Sequence, residues 1–171
     1  MTCVIVLASC GPPTTSLGTV VPFGFDLTGS WLVDEAQSDE APDANAMLQR
    51  EKSAEIEGKK SDSLASMYFL IRDFPIVSAR RLTIEQDAES IGISYGEGQH
   101  RDLVWGLQSR AQWQLDAGWE GSHLVVKSVV SHSSVVERYQ LQQDRTTLVV
   151  DVAVRAGGQR ETYRRIFVKA D

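Results

Sequence analysis

The sequence predicts a mainly β fold, an antiparallel barrel or strongly curved sheet of about eight or nine strands, with one or two helices inserted after the first strand. Three observations carry that reading. Residues 81 to 168 form a train of short alternating runs broken by polar or glycine turns; a strand-like run surrounds Trp31; and a stretch with helical spacing lies between them. With 171 residues, 42% of them hydrophobic, the chain has apolar material for one domain with a real core and too little length for two.

In chain order, the folded part is expected to begin near Asp26, where Leu27, Gly29, Trp31 and Val33 start a strand that Asp34 and the Ser38-Asp39-Glu40 cluster end. From Pro42 to Gly58 good helix formers predominate, but Ala44, Met47, Leu48 and Ala54 make only a thin apolar stripe, so this helix should lie on the surface. A stronger stripe follows. Leu64, Met67, Tyr68 and Ile71 fall at i, i+3, i+4 and i+7, with Ser61, Asp62 and Ser63 as candidate caps and Pro75 as the stop. This insertion, at about 43–72, either plugs one open end of a β-core or forms a lid over a pocket. The two readings share a geometry and differ in mobility.

The strand train opens with Leu82 and Ile84, then Ile91, Ile93 and Tyr95, before a Gly96-Glu97-Gly98 turn. Leu103 shares a face with Trp105, as Trp113 does with Leu115, and a turn is expected over Ala117-Gly118-Trp119-Glu120-Gly121. Leu124 to Val130, Val135 to Leu141, Leu148 to Val154 and Tyr163 to Val168 supply four more strands, and Gly157-Gly158 suits a hairpin turn.

Charge and motif content narrow the function classes. A formal net charge of −6, with both signs interspersed, offers no basic footprint for nucleic acid. His100, His123 and His132 lie at or near turns without metal-ligand spacing, so they read as surface residues and no metal is expected. No G-x-S-x-G elbow occurs, and Ser131-His132-Ser133-Ser134 reads as polar turn chemistry. Glycoside hydrolysis would need two carboxylates facing across a cleft; Asp102, Asp116, Glu120, Glu137 and Asp151 are instead expected on outward, solvated strand faces. No catalytic residue and no cofactor is assigned.

Residues 1–10 read MTCVIVLASC, an apolar run far shorter than the roughly 20 residues a spanning helix needs. Its last four, Leu7, Ala8, Ser9 and Cys10, resemble the lipobox of bacterial lipoproteins, in which the cysteine is lipidated and becomes the mature N-terminus. The resemblance implies a signal peptide over 1–9, membrane attachment through acyl chains on Cys10 and a place in the cell envelope. Gly11, rather than Asp, after the cysteine implies the outer membrane, facing the periplasm. Signal peptides normally open with Lys or Arg and a longer apolar stretch, so the true start is expected upstream. Pro12, Pro13, Gly18, Pro22 and Gly24 then mark 10–25 as lipidated terminus and flexible tether, ahead of a single β-domain at 26–171. No cysteine follows Cys10, which leaves that domain without an internal disulfide.

Gly29-Ser30-Trp31 in the first strand, with Arg164 and Arg165 in the last, resembles the lipocalin and wider calycin pattern. That resemblance implies a G-x-W strand closing the barrel base, with Arg165, or alternatively Arg164, stacked over the Trp31 indole, an arrangement worth about 0.5–2 kcal/mol. The stretch from Asp26 onward also resembles uncharacterised proteobacterial envelope lipoproteins. It shares their opening L-x-G-x-W-x-x-D, here Leu27 to Asp34, a Gly118-Trp119 pair and a closing strand at Tyr163 to Phe167.

An eight-stranded barrel either fills with side chains or holds one small ligand. The resulting expectation is a membrane-anchored, non-enzymatic binding or carrier module for a small apolar molecule or lipid, with Tyr95, Trp105, Trp113 and Tyr139 as ligand-lining candidates. The rival is a lipid-tethered adaptor of the envelope with a filled core and no pocket, docking a protein partner through outward strand faces.

Overall fold

The computed structural model describes residues 16–57, 66–96 and 98–170. Strand β1 (Gly29–Val33) precedes helices α1 (Ala44–Ile56) and α2 (Met67–Asp73) and a 3-10 turn at Pro75–Val77. Nine strands follow: β2 (Arg81–Gln86), β3 (Ser90–Gly96), β4 (Gln99–Val104), β5 (Gly106–Arg110), β6 (Trp113–Glu120), β7 (His123–Val130), β8 (Ser133–Leu141), β9 (Thr147–Ala156) and β10 (Gln159–Lys169). They form one antiparallel sheet in the order β4-β3-β2-β1-β10-β9-β8-β7-β6-β5, curled into a nearly closed barrel. The mainly β architecture with helices after the first strand is as the sequence predicts.

Two places decide how the sheet closes. The first and last strands meet, β1 against β10, where Trp31 stands opposite Lys169 and Val33 opposite Phe167. The other place is a slot between β4 and β5, the two edge strands, which Trp105 alone connects and which form no ladder with each other. Gly106, at φ +94, takes the left-handed backbone that so short a link requires. Side chains bridge what backbone does not: Gln108 Nε2 donates to Val104 O at 2.9 Å and Arg110 Nη1 to Asp102 O at 3.3 Å.

Alternation along the strands places one side of each residue pair inside. Leu82 and Ile84, Ile91 and Ile93, Leu124 and Val126, Leu148, Val150, Val152 and Val154 are all buried and belong to one core cluster with Trp31 and Phe167. The barrel interior is therefore occupied by side chains. Helix α2 adds Met67, Leu70 and Ile71 to that cluster, and its first turn is capped by Ser66, whose Oγ accepts from Phe69 N at 3.3 Å. The observed cap thus differs from the expected Ser61, Asp62 and Ser63, which lie, with Leu64, outside the described residues. Among the described residues no helix is long and apolar enough to cross a membrane.

Three expectations need correction. A tenth strand, β5, went unread because none of its residues is buried, so Gly106-Leu107-Gln108-Ser109-Arg110 carries no alternation to detect. Ala117 to Glu120 belong to β6 rather than to a turn; the chain reverses one step later, at Gly121. The third correction explains the second. Residues expected to be tether are docked from Leu17 onward: Gly18 N donates to Trp119 O at 3.0 Å and Trp119 N to Gly18 O at 2.9 Å. Leu17 is buried, and the Phe25 ring packs edge-on against Trp119 at 4.6 Å. A Cβ on Gly118 would meet Gly18 O at 2.4 Å, so this glycine permits a backbone to approach rather than a turn. Cys10 lies outside the described residues.

Candidate functional site

The barrel has two unlike ends. At the base, reached by the β2–β3, β6–β7 and β8–β9 turns, Trp31 is fully buried and its Nε1 donates to Leu27 O at 2.9 Å. Gly29, at φ +139, adopts a backbone that disfavours other residues, and a Cβ there would come within 3.0 Å of Lys169 Cε. The G-x-W glycine is thereby explained.

Its cationic partner is not the expected one. Lys169 Nζ lies 5.5 Å from the Trp31 ring centroid. Arg165 sits four residues back along β10, about 13 Å away at strand rise. There it donates from Nη1 to Asp39 O at 2.6 Å and from Nη2 to Ala79 O at 3.2 Å, fastening the segments before α1 and before β2. Burial lowers the Arg165 guanidinium below its ordinary value, opposed by Glu35 and Asp39. Trp31 stands opposite Lys169 where β1 pairs with β10, and Gly29 stands opposite Ile84 of β2.

At the opposite end, the mouth, α2 and the turn after it lie over the upper part of the slot. Between them is a cleft of about 440 Å³, lined by Arg72 of α2 and Phe74 just after it, from β3 and β4 by Tyr95 and Arg101, and from β5 and β6 by Arg110 and Trp113. Phe74 and Trp113 meet edge to face, 5.1 Å between centroids, and form its apolar wall. A narrower hollow of about 250 Å³ continues along α2 between Leu70, Trp113 and Val130.

Beneath the cleft lies a buried polar cluster. Arg101 reaches inward from the edge strand β4 and crosses to β7 and β8: Nη1 donates to Glu137 Oε1 at 2.5 Å and Nη2 to Ser128 Oγ at 3.2 Å. Tyr139 donates to the other oxygen of Glu137 at 2.6 Å. Glu137, Ser128 and Tyr139 are fully buried, and the Arg101 guanidinium also lies 4.9 Å from the Phe74 ring centroid. Burial, the largest single influence, would lower Arg101, but Glu137, Tyr95 and Tyr139 together more than offset it and hold the guanidinium above its ordinary value. The Tyr139 hydroxyl is pushed far up, by burial first and by Glu137 second. The Tyr95 hydroxyl is likewise pushed up, by burial first and by Glu137 second, with Arg101 and Tyr139 near enough to oppose the shift.

Of the four expected ligand-lining aromatics, Tyr95 and Trp113 line the cleft and Tyr139 lies just under it in the polar cluster. Trp105 is elsewhere. It packs at the base against Trp119, 5.5 Å between centroids, and donates to Ala88 O at 2.9 Å. Glu137, expected on a solvated face, is instead fully buried. Its parity with Val135 and Tyr139, both apolar-sized and inward, was the available signal, as Leu103 was for Arg101.

The outward carboxylates behave as expected: Asp151 pairs with Arg164 at 2.7 Å, and Glu120 with Arg138 at 2.6 Å. On the outer face, Ser94 Oγ lies 2.8 Å from His100 Nδ1 and His100 Nε2 lies 2.7 Å from Asp102 Oδ1. Such an alignment resembles a nucleophile relay in its distances, but His100 and Asp102 are 47% and 72% exposed, so water competes for each bond. It functions as a cross-strand ladder beside the slot. Among the described residues no group of His, Cys, Asp or Glu could hold a metal ion.

No family model matches the chain, and no curated protein matches it in sequence. Its fold does have likenesses among solved structures. A REP1-NXSQ fatty acid transporter superposes with a TM-score of 0.53 at 12% identity, over 85% of this chain and 97% of that one. The wild-type fluorescent protein UnaG gives 0.52 at 12% identity, over 84% and 97%. A luciferase domain from the dinoflagellate Lingulodinium polyedrum gives 0.52 at 15% identity, over 90% of this chain and 45% of that one. At these identities the likeness is one of fold: the chain has the barrel shape shared by these proteins.

Proposed function

We propose that this chain is a non-enzymatic binding module for a small apolar molecule, held in the cell envelope through lipidated Cys10, and that the cleft at the mouth is its site. One observation carries the reading: the barrel's apolar side chains fill its base and middle, while an aromatic-walled space of about 440 Å³ remains under α2 at the unpaired slot. The fatty acid transporter with the same barrel shape supports it, as a fold in which that kind of ligand is carried. Native mass spectrometry of the protein extracted from membranes should reveal an added mass of lipid size. A bare polypeptide mass, with no uptake of added amphiphiles, would refute the proposal.

The membrane component has its own support. The described chain begins at the base with Ser16, and on the same segment Val20 and Phe23 are 81% and 109% exposed. An acyl anchor at Cys10 would hold the base toward the outer membrane and leave the cleft facing the periplasm. Globomycin-sensitive processing and incorporation of labelled fatty acid at Cys10 are expected; a Cys10→Ser chain that remained membrane-bound would count against anchoring there.

The adaptor reading is favoured by a different feature, the exposed Val104 and Leu107 on the two edge strands flanking the slot. A photocrosslinker at Leu107 would capture an envelope protein if that edge is a docking surface, and only solvent or lipid products under the binding reading.

A further inference from the structure

We infer that the turn from Pro22 to Phe25 is a membrane-contact loop: Phe23, with Val20 near it, enters the headgroup boundary of the bilayer and seats the base of the barrel against the lipid. This rests on the anchoring at Cys10 proposed above. Phe25 N donates to Pro22 O at 3.1 Å, and Gly24, at φ +73, supplies the left-handed corner of the turn, which leaves Phe23 at its tip. Both Phe23 and Val20 are wholly or largely exposed.

The loop is fixed at both ends. On one side Gly18 exchanges two backbone hydrogen bonds with Trp119, and Leu17 is buried. On the other, the Phe25 ring packs on Trp119, Phe25 O accepts from Gln86 Nε2 at 3.3 Å, and Leu27 N donates to Gln86 Oε1 at 3.1 Å. An aromatic ring held in water at such a tip adds nothing to the core, whereas aromatic rings are favoured at membrane interfaces. Thr19 continues the apolar surface: its Cγ2 lies 3.5 Å from where a Cβ on Gly106 would stand, so the exposed Val104 and Leu107 flank the same end.

The length of chain between Cys10 and this loop decides what covers it. Because Leu17 and Gly18 are docked, only the stretch from Cys10 to Ser16 is left as tether, with a reach of about 20 Å at full extension. Acyl chains on Cys10 would hold Ser16 within that distance of the headgroups, and a protein partner would have to enter between this end and the membrane. Charge does not oppose the approach. Arg145 Nη1 lies 4.0 Å from where a Cβ on Gly24 would stand and suits lipid phosphates, while Asp26 and Asp144 accept from the amides of Thr28, Thr146 and Thr147.

The test uses the lipidated protein purified from membranes and returned to vesicles of phosphatidylethanolamine and phosphatidylglycerol. Benzoylphenylalanine, an apolar aromatic photocrosslinker, replaces Phe23 in one preparation and Gln112, in the β5–β6 turn at the mouth, in another. Adducts of phospholipid mass should form at position 23 at least about tenfold more often than at position 112, the factor expected from taking one exposed phenylalanine out of water. Hydrogen exchange over residues 19–25 should slow on vesicle attachment by a similar factor. Phe23→Asp combined with Val20→Asp, which removes no buried side chain, should abolish that slowing while the acyl chains keep the protein attached.

Equal lipid adducts at the two positions would overturn the contact loop and leave the anchor intact. So would adducts of position 23 to a second copy of the chain, or slowed exchange that survives the double substitution, because proximity alone would then account for it. Absence of an acyl chain on Cys10 would overturn the anchor, and the loop's role with it.

Discussion

The base and the mouth of this barrel are built from the same strands and differ in what those strands turn inward. Along β9 and β10 the base end buries Leu148, Val150 and Phe167 around Trp31, and the N-terminal segment lies across it through Leu17, Gly18 and Phe25. Toward the mouth, β4, β7 and β8 instead turn Arg101, Ser128 and Glu137 inward. The base gains stability from dry packing, about 25 cal/mol per Å² of apolar surface removed from water. The mouth spends stability on a buried ion pair whose desolvation roughly cancels its attraction. The pair therefore adds little net stability, and it lies under the cleft.

Two substitutions probe each side of that contrast with the largest effects. Trp31→Ala should destabilise the domain by about 3–5 kcal/mol, since a fully buried indole leaves a large cavity at the barrel closure. An effect below about 1 kcal/mol in urea denaturation would show that the base does not hold the barrel together. Arg101→Met should also cost about 3–5 kcal/mol at neutral pH, because it leaves Glu137 charged and buried without its partner. The two losses differ in kind. Adding Glu137→Gln should restore much of the Arg101→Met loss and none of the Trp31→Ala loss; a double-mutant cycle with no coupling between Arg101 and Glu137 would break the account of the mouth.

Next in size is Gly118→Ala, with a penalty of about 1–3 kcal/mol from overpacking. A Cβ there would meet both Gly18 O and Leu17 Cβ, so the N-terminal segment must lift. Hydrogen exchange should show the Gly18 and Trp119 amides losing protection while the Arg101 cluster keeps its own. Unchanged protection at Gly18 would mean the segment is not locked by this contact.

How far the sequence foretold these two ends depends on the physics of each. Alternation made the strands legible wherever one face is apolar, and Gly29 and Trp31 identified the closing strand. Strand β5 escaped because its residues face a slot and water. Glu137 was misread because residue type was given more weight than parity with Val135 and Tyr139. Arg101 went unassigned for a related reason: its partners lie on β7 and β8, across the barrel, and that proximity is created by closure alone. The glycine at 118 was read as a turn because a glycine that admits another backbone looks the same in sequence as one that bends its own. The cation on Trp31 was placed four residues away along β10, a detail that only strand pairing fixes.

Alkaline titration separates the two ends on a smaller scale. Tyr95 and Tyr139 are held above the ordinary tyrosine value of 10.0, by burial first and Glu137 second. Above that pH the unfolded chain releases these protons and the folded one does not, so stability that is fully present below about pH 10 declines as pH rises. Each tyrosine should contribute a slope of about 1.4 kcal/mol per pH unit. Tyrosinate absorbance from these two residues should appear only together with unfolding. A reversible titration near pH 10 in the still-folded protein would show that the mouth is open to water.

The smallest effect concerns α2, whose position over the cleft decides whether the helix is a plug or a lid. Its N-terminus rests on Ser66 Oγ, which satisfies the Phe69 amide, and Met67, Leu70 and Ile71 hold it to the core. Ser66→Ala should cost about 1 kcal/mol, the usual worth of such a cap. If α2 is a plug, anchored by those three buried residues, the loss should appear as lower global stability with exchange in α2 still coupled to unfolding of the barrel. If α2 is a lid, the same change should raise exchange in Met67 to Asp73 alone and speed release of a bound amphiphile from the cleft. The three apolar anchors favour the plug, so the expected result is a global shift of about 1 kcal/mol and an unchanged release rate.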